Sequence, residues 1–319
     1  MRLTDFTTPR CLVAIAVALA GACAPPAPPA NIVDVARERV AAHDYVGGAA
    51  AVDRYRAANG MTPAAFVALS LVAQGAATDK SWDVAGQLAQ QIYDQGRTVL
   101  ASRPLDEEPQ VPIAMGRAIE ILSQASLARN ARSEAIAFLN RERVTFAGTS
   151  IEKRIQKNIN LLSLEGTQAP ALDLSETIGG AVPTVASLKG KVVVLFFWAH
   201  WCPDCKQQAP VLASLMDRYR RRGLTIVAPT QRYGYVAGGE AATPEVEDPY
   251  IDSVRRAYYP VLAGLPIPLS AANHLRYGVS STPTLVLVDR AGVIRLYHPG
   301  RMSQAELEPV IVGLLDARG

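Results

Sequence analysis

The sequence predicts an α/β protein in two parts: an all-α region, and then a mixed sheet with helices on both faces. Residues 31–165 carry apolar side chains at helical spacing and show few strand signals. From residue 171 onward, buried strand patterns alternate with helical patterns, and two final strands precede a last helix. A strand–helix–strand order makes a parallel pair and a hairpin makes an antiparallel pair, so we expect a mixed sheet.

The first 22 residues have the pattern of a secretory signal peptide. Arg2 and Arg10 precede an apolar run over residues 11–20, about half the length that a membrane-spanning helix needs. Small residues follow this run, as they do at signal cleavage sites. We therefore predict export, with residues 1–22 acting as the signal.

A cysteine follows the signal pattern directly. The segment Leu19-Ala20-Gly21-Ala22-Cys23 resembles a bacterial lipobox, although Ala20 stands where leucine is usual. Residues 23–30 are rich in proline and would form a semi-rigid tether. Lipidation of Cys23 would also remove an odd thiol from an oxidising compartment. We predict a lipid-anchored protein of the bacterial cell envelope, on the periplasmic side. Ordinary cleavage or an uncleaved anchor are the alternatives.

Residues 31–165 are predicted to form a helical bundle or a set of helical hairpins. Six segments show helical spacing: 32–45, 63–74, 82–100, 113–129, 133–142 and 150–164. Thr62 before Pro63 is a typical helix start, with a capping side chain and a proline in the first turn. Ile151, Ile155, Ile159 and Leu162 form an apolar stripe that indicates core packing. This region shows no clear repeat and no catalytic constellation.

A short polar linker at residues 165–168 precedes the α/β region, which we assign to residues 166–319. Strands are predicted at 191–198, 224–229, 284–288 and 293–298, and helices at 203–222, 251–262, 271–277 and 306–315. Residues 231–249 are rich in glycine, alanine and acidic side chains. They are expected to be a surface insertion, either a lip near the site or a disordered loop.

Charge excludes one class of partner. The formal net charge is +3, and no lysine or arginine stripe runs along the chain. The most basic segment lies at the end of a predicted helix, where cations suit the helix dipole. It contains Arg218, Arg220, Arg221 and Arg222. We expect no nucleic-acid partner.

The segment Trp201-Cys202-Pro203-Asp204-Cys205 carries the chemistry. It lies where the first buried strand gives way to a helix. The N-terminus of a helix offers free N–H groups and a positive dipole end, which lower the pKa of a cysteine placed there. With two residues between them, the second cysteine lies about one turn further on and can attack a mixed disulfide on the first. Pro203 fits the first helical turn.

This segment resembles the active-site segment of the thioredoxin superfamily. Ser281-Thr282-Pro283-Thr284 matches the cis-proline loop of that family, which faces the two cysteines and binds peptide substrates. Within the superfamily, the chain is similar to the exported TlpA/ResA-like thiol–disulfide oxidoreductases over residues 169–319. Those proteins open with Ala-Pro, a short hairpin and a Leu-x-Gly-Lys turn. Here Ala169-Pro170, residues 171–184 and residues 188–191 match.

The resemblance implies roles for individual residues. Cys202 would attack the substrate disulfide and Cys205 would resolve the mixed disulfide, with support from Trp201, Pro203, Asp204, Thr282 and Pro283. No cofactor beyond the redox-active Cys202–Cys205 disulfide and no metal is expected, since two cysteines do not hold a structural zinc ion.

Two departures from the family pattern bear on the potential of the pair. Phe196 stands where cytoplasmic thioredoxins have a buried carboxylate that helps deprotonate the second cysteine. Asp204 lies between the two cysteines, where its charge would disfavour a thiolate on Cys202 and make the pair more reducing. His200 could tune the same thiols.

We therefore expect an enzyme, a reductase of disulfides in the cell envelope. Its substrates would be disulfide-containing exported proteins or apocytochrome c, and a membrane thiol–disulfide donor would re-reduce it. The alternative is a redox-dependent scaffold whose helical region binds a partner.

Overall fold

The computed structural model describes residues 31–107 and 110–317. The predicted signal peptide, Cys23 and the proline-rich tether lie outside the described residues. No helix among the described residues is long and apolar enough to cross a membrane.

Helices fill the first part of the described chain, as the spacing predicts. They are α1 (Ile32–Ala41), α2 (Tyr45–Asn59), α3 (Pro63–Thr78), α4 (Trp82–Leu100), α5 (Gln110–Ala128), α6 (Arg132–Thr145) and α7 (Glu152–Ser163). Their buried side chains form one core in which alanine is frequent, and the isoleucine stripe of α7 lies in it. Small side chains allow helix axes to approach closely.

One predicted helix is wrong at its end, and one helix was not predicted. The segment 32–45 is expected to be a single helix, but the chain turns at His43, whose φ is +54°. Helix α2 then begins at Tyr45, and the side chain of Asp44 accepts a hydrogen bond from the N–H of Gly47 at 2.8 Å. Gly47 and Gly48 lower the helix propensity of this stretch, and for that reason the sequence analysis did not predict the helix.

The second part of the chain contains a four-stranded mixed sheet. Its strands are β2 (Val192–Phe197), β3 (Leu224–Val227), β5 (Thr284–Val288) and β6 (Ile294–Pro299), in the order β3-β2-β5-β6. Strand β2 pairs in parallel with β3, and the other two pairs are antiparallel. The helices of this part are α8 (Pro203–Tyr219), α9 (Pro244–Tyr258), α10 (Ala271–Arg276) and α11 (Gln304–Asp316).

The sheet separates two apolar cores, because side chains alternate between its faces. One core contains Val194, Phe196 and the two site cysteines, and the other contains Val193, Leu195 and Phe197. All six residues of β2 are buried, as expected for a central strand covered on both faces.

The expected hairpin within residues 171–184 is not formed. The only strand there is β1 (Thr177–Ile178), which pairs with the distant β4 (Ile267–Pro268). Gly179 and Gly180 follow β1 with φ of +87° and +116°, so the chain leaves the extended conformation at once.

Helix α9 begins earlier than predicted. We expect a helix over 251–262, but α9 starts at Pro244, inside the predicted insertion. Thr243 precedes a proline in the first turn, and Glu245 and Glu247 follow it, which are all favourable at a helix start. Pro249 inside the segment obscured this start.

The polar linker is tied to the sheet. Gly166 donates to the carbonyl of Ile294 at 2.8 Å, and Ile294 donates to the carbonyl of Thr167 at 2.9 Å. The carboxylate of Glu165 also accepts from the N–H of Tyr297. Strand β6 therefore carries the linker along its outer edge.

Candidate active site

The two cysteines form a disulfide at the start of α8. Cys202 is the N-cap residue, and its Sγ accepts a hydrogen bond from the N–H of Cys205 at 3.0 Å. Pro203 occupies the first helical turn, as predicted. The two Cα atoms are 5.3 Å apart, and both side chains are buried. The strand–helix junction thus presents Cys202 at the positive end of a helix.

The Thr282–Pro283 loop lies against this pair. The peptide bond between Thr282 and Pro283 is cis, as the resemblance implies. The carbonyl oxygen of Thr282 is 3.3 Å from Cys202 Sγ. The sheet register explains the approach: Phe197 at the end of β2 lies opposite Thr284 at the start of β5. The structure therefore brings the two distant motifs together.

Asp204 has a partner that the sequence analysis did not find. Its Oδ1 lies 3.4 Å from Nε of Arg301, in the turn before α11, and both side chains are largely exposed. A solvent-exposed pair of this kind is weak. Arg301 nevertheless offsets part of the negative charge that Asp204 places beside Cys202.

The segment after β3 packs on the site, so residues 231–249 do form a lip. The ring of Tyr233 meets the ring of Trp201 edge-on at 5.5 Å between centroids. Trp201 is 46% exposed, so one face of the indole remains open to solvent. Arg232 holds the segment through ion pairs with Asp248 and Glu176.

A buried histidine–carboxylate contact lies behind Trp201. His200 Nε2 is 3.3 Å from Glu247 Oε1, and both side chains are 1% exposed. Glu247 also accepts from the N–H groups of Tyr233, at 2.5 Å, and Gly234, at 2.9 Å. The carboxylate therefore fixes both the lip and the residue that precedes Trp201.

Burial lowers the pKa of His200, and the charge of Glu247 opposes that shift. Neither ring nitrogen makes a hydrogen bond of good geometry among the described residues. The contact with Glu247 is therefore mainly electrostatic. Three tyrosine rings surround the imidazole edge-on, at 5.3–5.4 Å between centroids: Tyr233, Tyr235 and Tyr250.

Phe196 is fully buried in the same core as Cys205. The position that holds a carboxylate in cytoplasmic thioredoxins is thus apolar here. Among the described residues, no group of three or more histidine, cysteine, aspartate or glutamate side chains could hold a metal ion.

Two cavities differ in their relation to the cysteines. One of about 220 Å³ is lined by Trp201, Thr282 and neighbouring residues. A larger one of about 640 Å³ lies between α4, α5 and α6 and shares no residue with the site. Two residues that line the smaller cavity adjoin Cys202: Trp201 precedes it in the chain, and the carbonyl oxygen of Thr282 contacts its Sγ.

Part of the chain is similar to known thioredoxin-like proteins and thiol–disulfide oxidoreductases. The model of the AhpC/TSA family matches residues 166–231. The thioredoxin-like protein YneN of Bacillus subtilis is 33% identical over 144 residues, which are 45% of this chain and 76% of that protein. The thiol–disulfide oxidoreductase ResA of the same organism is 28% identical over 143 residues, or 44% and 70% of the two chains.

A solved structure is also similar. It is a putative thiol:disulfide interchange protein DsbE from Chlorobium tepidum, with 26% identity and a TM-score of 0.38. The match covers 47% of this chain and 97% of that one.

Proposed function

The chain belongs to the thioredoxin-like family of thiol–disulfide oxidoreductases, and from this premise we propose that it reduces protein disulfides on the exported side of a bacterial membrane. The observation that carries the proposal is the Cys202–Cys205 pair at the start of α8, with Thr282 against Cys202 and a cavity beside it.

The reaction starts from the dithiol form. The Cys202 thiolate attacks one sulfur of a substrate disulfide, so that bond breaks and a mixed disulfide forms. The released substrate thiolate takes a proton from solvent. Cys205 then loses its proton and attacks Cys202 Sγ as a thiolate, which closes the Cys202–Cys205 disulfide and releases the second substrate sulfur as a thiolate, and that thiolate takes up a proton. Two electrons have passed to the substrate.

The N–H of Cys205, 3.0 Å from Cys202 Sγ, would stabilise the attacking thiolate. The spent disulfide needs an external dithiol, for which we propose a membrane thiol–disulfide donor. The cysteine pair is the only redox group in this scheme, so no cofactor is needed.

The proposed substrates are exported proteins with unwanted disulfides, including the haem-binding cysteine pair of apocytochrome c. The signal pattern of residues 1–22 and the lipobox-like segment ending at Cys23 support this location. A lipid at Cys23 would hold the enzyme at the membrane, close to its donor.

The equilibrium reduction potential of the pair tests the direction of the reaction. It is measured on the full chain with Cys11 and Cys23 replaced by serine, so that the Cys202–Cys205 pair is the only source of the measured potential. A value at or below about −250 mV supports a reductase. A value near about −120 mV would make the protein a disulfide-forming oxidant and would overturn the proposal.

Two substitutions then test the effect of the Asp204 charge on the reduction potential. Asp204→Asn removes a charge that disfavours the Cys202 thiolate, so the potential should become less negative by roughly 10–20 mV. Arg301→Gln is the matched change: it leaves Asp204 unpaired and should shift the potential the other way. Shifts of the same sign would contradict the assigned role of Asp204.

A further inference from the structure

The cavity beside Cys202 has walls from both parts of the chain. Trp201, Gln231, Tyr233 and Thr282 come from the α/β region, whereas Ser150 and Lys153 come from the turn before α7 and its first turn. The cavity measures about 220 Å³, enough for one side chain of a substrate. The family model matches residues 166–231, a range that does not include α7.

Helix α7 is held firmly at this cavity. Gly278 has a φ of +61°, and a Cβ atom there would lie 2.4 Å from the backbone nitrogen of Lys157. The backbone of α7 therefore touches the loop that leads to Thr282. One turn further on, the side-chain amide of Asn160 donates to the carbonyl of Arg276 at 3.4 Å. Lys153 lies one turn before Lys157, on the same face of the helix.

Among the described residues that line the cavity, Lys153 is the only charged one. Its ammonium donates to Oε1 of Gln231 at 3.2 Å, and no carboxylate among the described residues forms an ion pair with it. Burial lowers the pKa of Lys153. A carboxylate entering the cavity would offset this desolvation.

A second polar group, in a residue that lines the cavity, has no partner among the described residues. The buried hydroxyl of Thr282 makes no hydrogen bond within the described part of the chain. Ser150, in contrast, is engaged, because its N–H and hydroxyl both donate to the exposed carboxylate of Asp106. The Lys153 ammonium is therefore the group in the cavity that suits a carboxylate, to which it would donate a charge-assisted hydrogen bond.

We propose that this cavity is a substrate subsite completed by α7, in which Lys153 selects disulfides flanked by an acidic side chain. The proposal rests on the proposed function and names a substrate class for it. The substrate cysteine would react at Cys202 Sγ, while a neighbouring aspartate or glutamate pairs with the Lys153 ammonium.

Two peptides test the proposal. Each contains one intramolecular disulfide, and they differ only in an aspartate or an asparagine on either side of the reacting cysteine. The full chain in its dithiol form is mixed with each peptide, and the second-order rate constants of reduction are compared. We expect the aspartate peptide to react about three to ten times faster at low salt.

Variants identify the source of this preference. Lys153→Met should bring the ratio of the two rates to about one while the asparagine peptide still reacts, and Lys153→Glu should reverse the ratio. Lys206→Met is the matched control: it removes a cation that stacks on Tyr258 outside the cavity, so the preference should remain.

The outcomes separate the two proposals. Equal reduction of both peptides by the unaltered chain would overturn the subsite and leave the proposed function intact. Reduction of neither peptide would count against the proposed function itself. If Lys153→Met slowed both peptides equally, Lys153 would have a structural role only and the subsite would be wrong.

Discussion

Cys202 lies between two walls of different origin. The lip wall consists of Tyr233 with the His200–Glu247 pair and is built entirely within the α/β region. The helical wall consists of the start of α7 and the loop from Gly278 to Thr282. A buried charge holds the first wall, whereas direct backbone contact holds the second. The difference indicates that the α/β region contains the cysteine pair and the lip, while the helical region contributes part of the cavity wall next to them.

Disrupting the lip wall should have the largest effect on stability at neutral pH. Glu247→Ala leaves the N–H groups of Tyr233 and Gly234 without their acceptor and removes the carboxylate that contacts His200. We expect a loss of about 3–5 kcal/mol in the free energy of unfolding, measured by urea denaturation. Disulfide reduction should also slow, since Trp201 packs on Tyr233.

The control for this change is Glu245→Ala, in the same helix. Glu245 is exposed and interacts with Thr243 at the helix start, so its loss should have a far smaller effect. Equal losses for the two variants would contradict the role given to Glu247.

Disrupting the helical wall should lower the free energy of unfolding by a somewhat smaller amount. Gly278→Ala adds a Cβ that meets the backbone of Lys157 and that disfavours the positive φ. We expect a loss of about 2–4 kcal/mol in the free energy of unfolding. The preference for acidic peptides should fall as well, because α7 must shift.

Gly313→Ala in α11 is the matched control. A Cβ at Gly313 meets nothing within 4 Å, so alanine should leave stability unchanged or raise it slightly through helix propensity. If the Gly278→Ala and Gly313→Ala variants had the same free energy of unfolding, α7 would be able to move away from residue 278 without loss of stability. That result would contradict the close backbone contact described above.

The last effect depends on pH and concerns His274 beneath the helical wall; it is smallest near neutral pH and grows as pH falls below about 6.5. Burial, with a contribution from the charge of Lys153, lowers the pKa of His274 to about 3. Its value in the unfolded chain is about 6.5. Between these values the unfolded chain binds one more proton, so the free energy of unfolding should fall as pH drops from 6.5 towards 3. The contribution of this residue is about 1.4 kcal/mol per pH unit.

His274→Leu should remove that contribution, so the plot of unfolding free energy against pH becomes shallower between pH 6 and pH 4. Phe197→Leu is the comparison, since Phe197 packs on the imidazole at 5.5 Å between centroids but carries no proton. It should lower stability by the same amount at each pH. An unchanged slope for His274→Leu would argue against a buried, neutral histidine.

Local signals predicted much of this structure. Helix α4 and strand β5 have the bounds expected from periodicity, and Cys202 caps α8 as the strand–helix junction indicated. These features depend on residues close together in the chain.

The features that the sequence did not predict depend on contacts between residues far apart in the chain. Nothing near β1 indicates that it pairs with β4, and nothing near His200 indicates that Glu247 will reach it. Nothing in the sequence distinguishes Lys153 from the other cations of α7. The contact of α7 with Gly278 helps to place it at the cavity lined by Trp201 and Thr282, and periodicity carries no information about such contacts.

The linker along β6 has a consequence for self-association. An outer strand normally presents unpaired N–H and C=O groups, which invite a strand from another molecule. Here Gly166 and Thr167 use the backbone groups of Ile294, and Glu165 uses the N–H of Tyr297. The segment that joins the two parts of the chain thus also covers this edge, and a second copy or an extended peptide cannot extend the sheet there without displacing it.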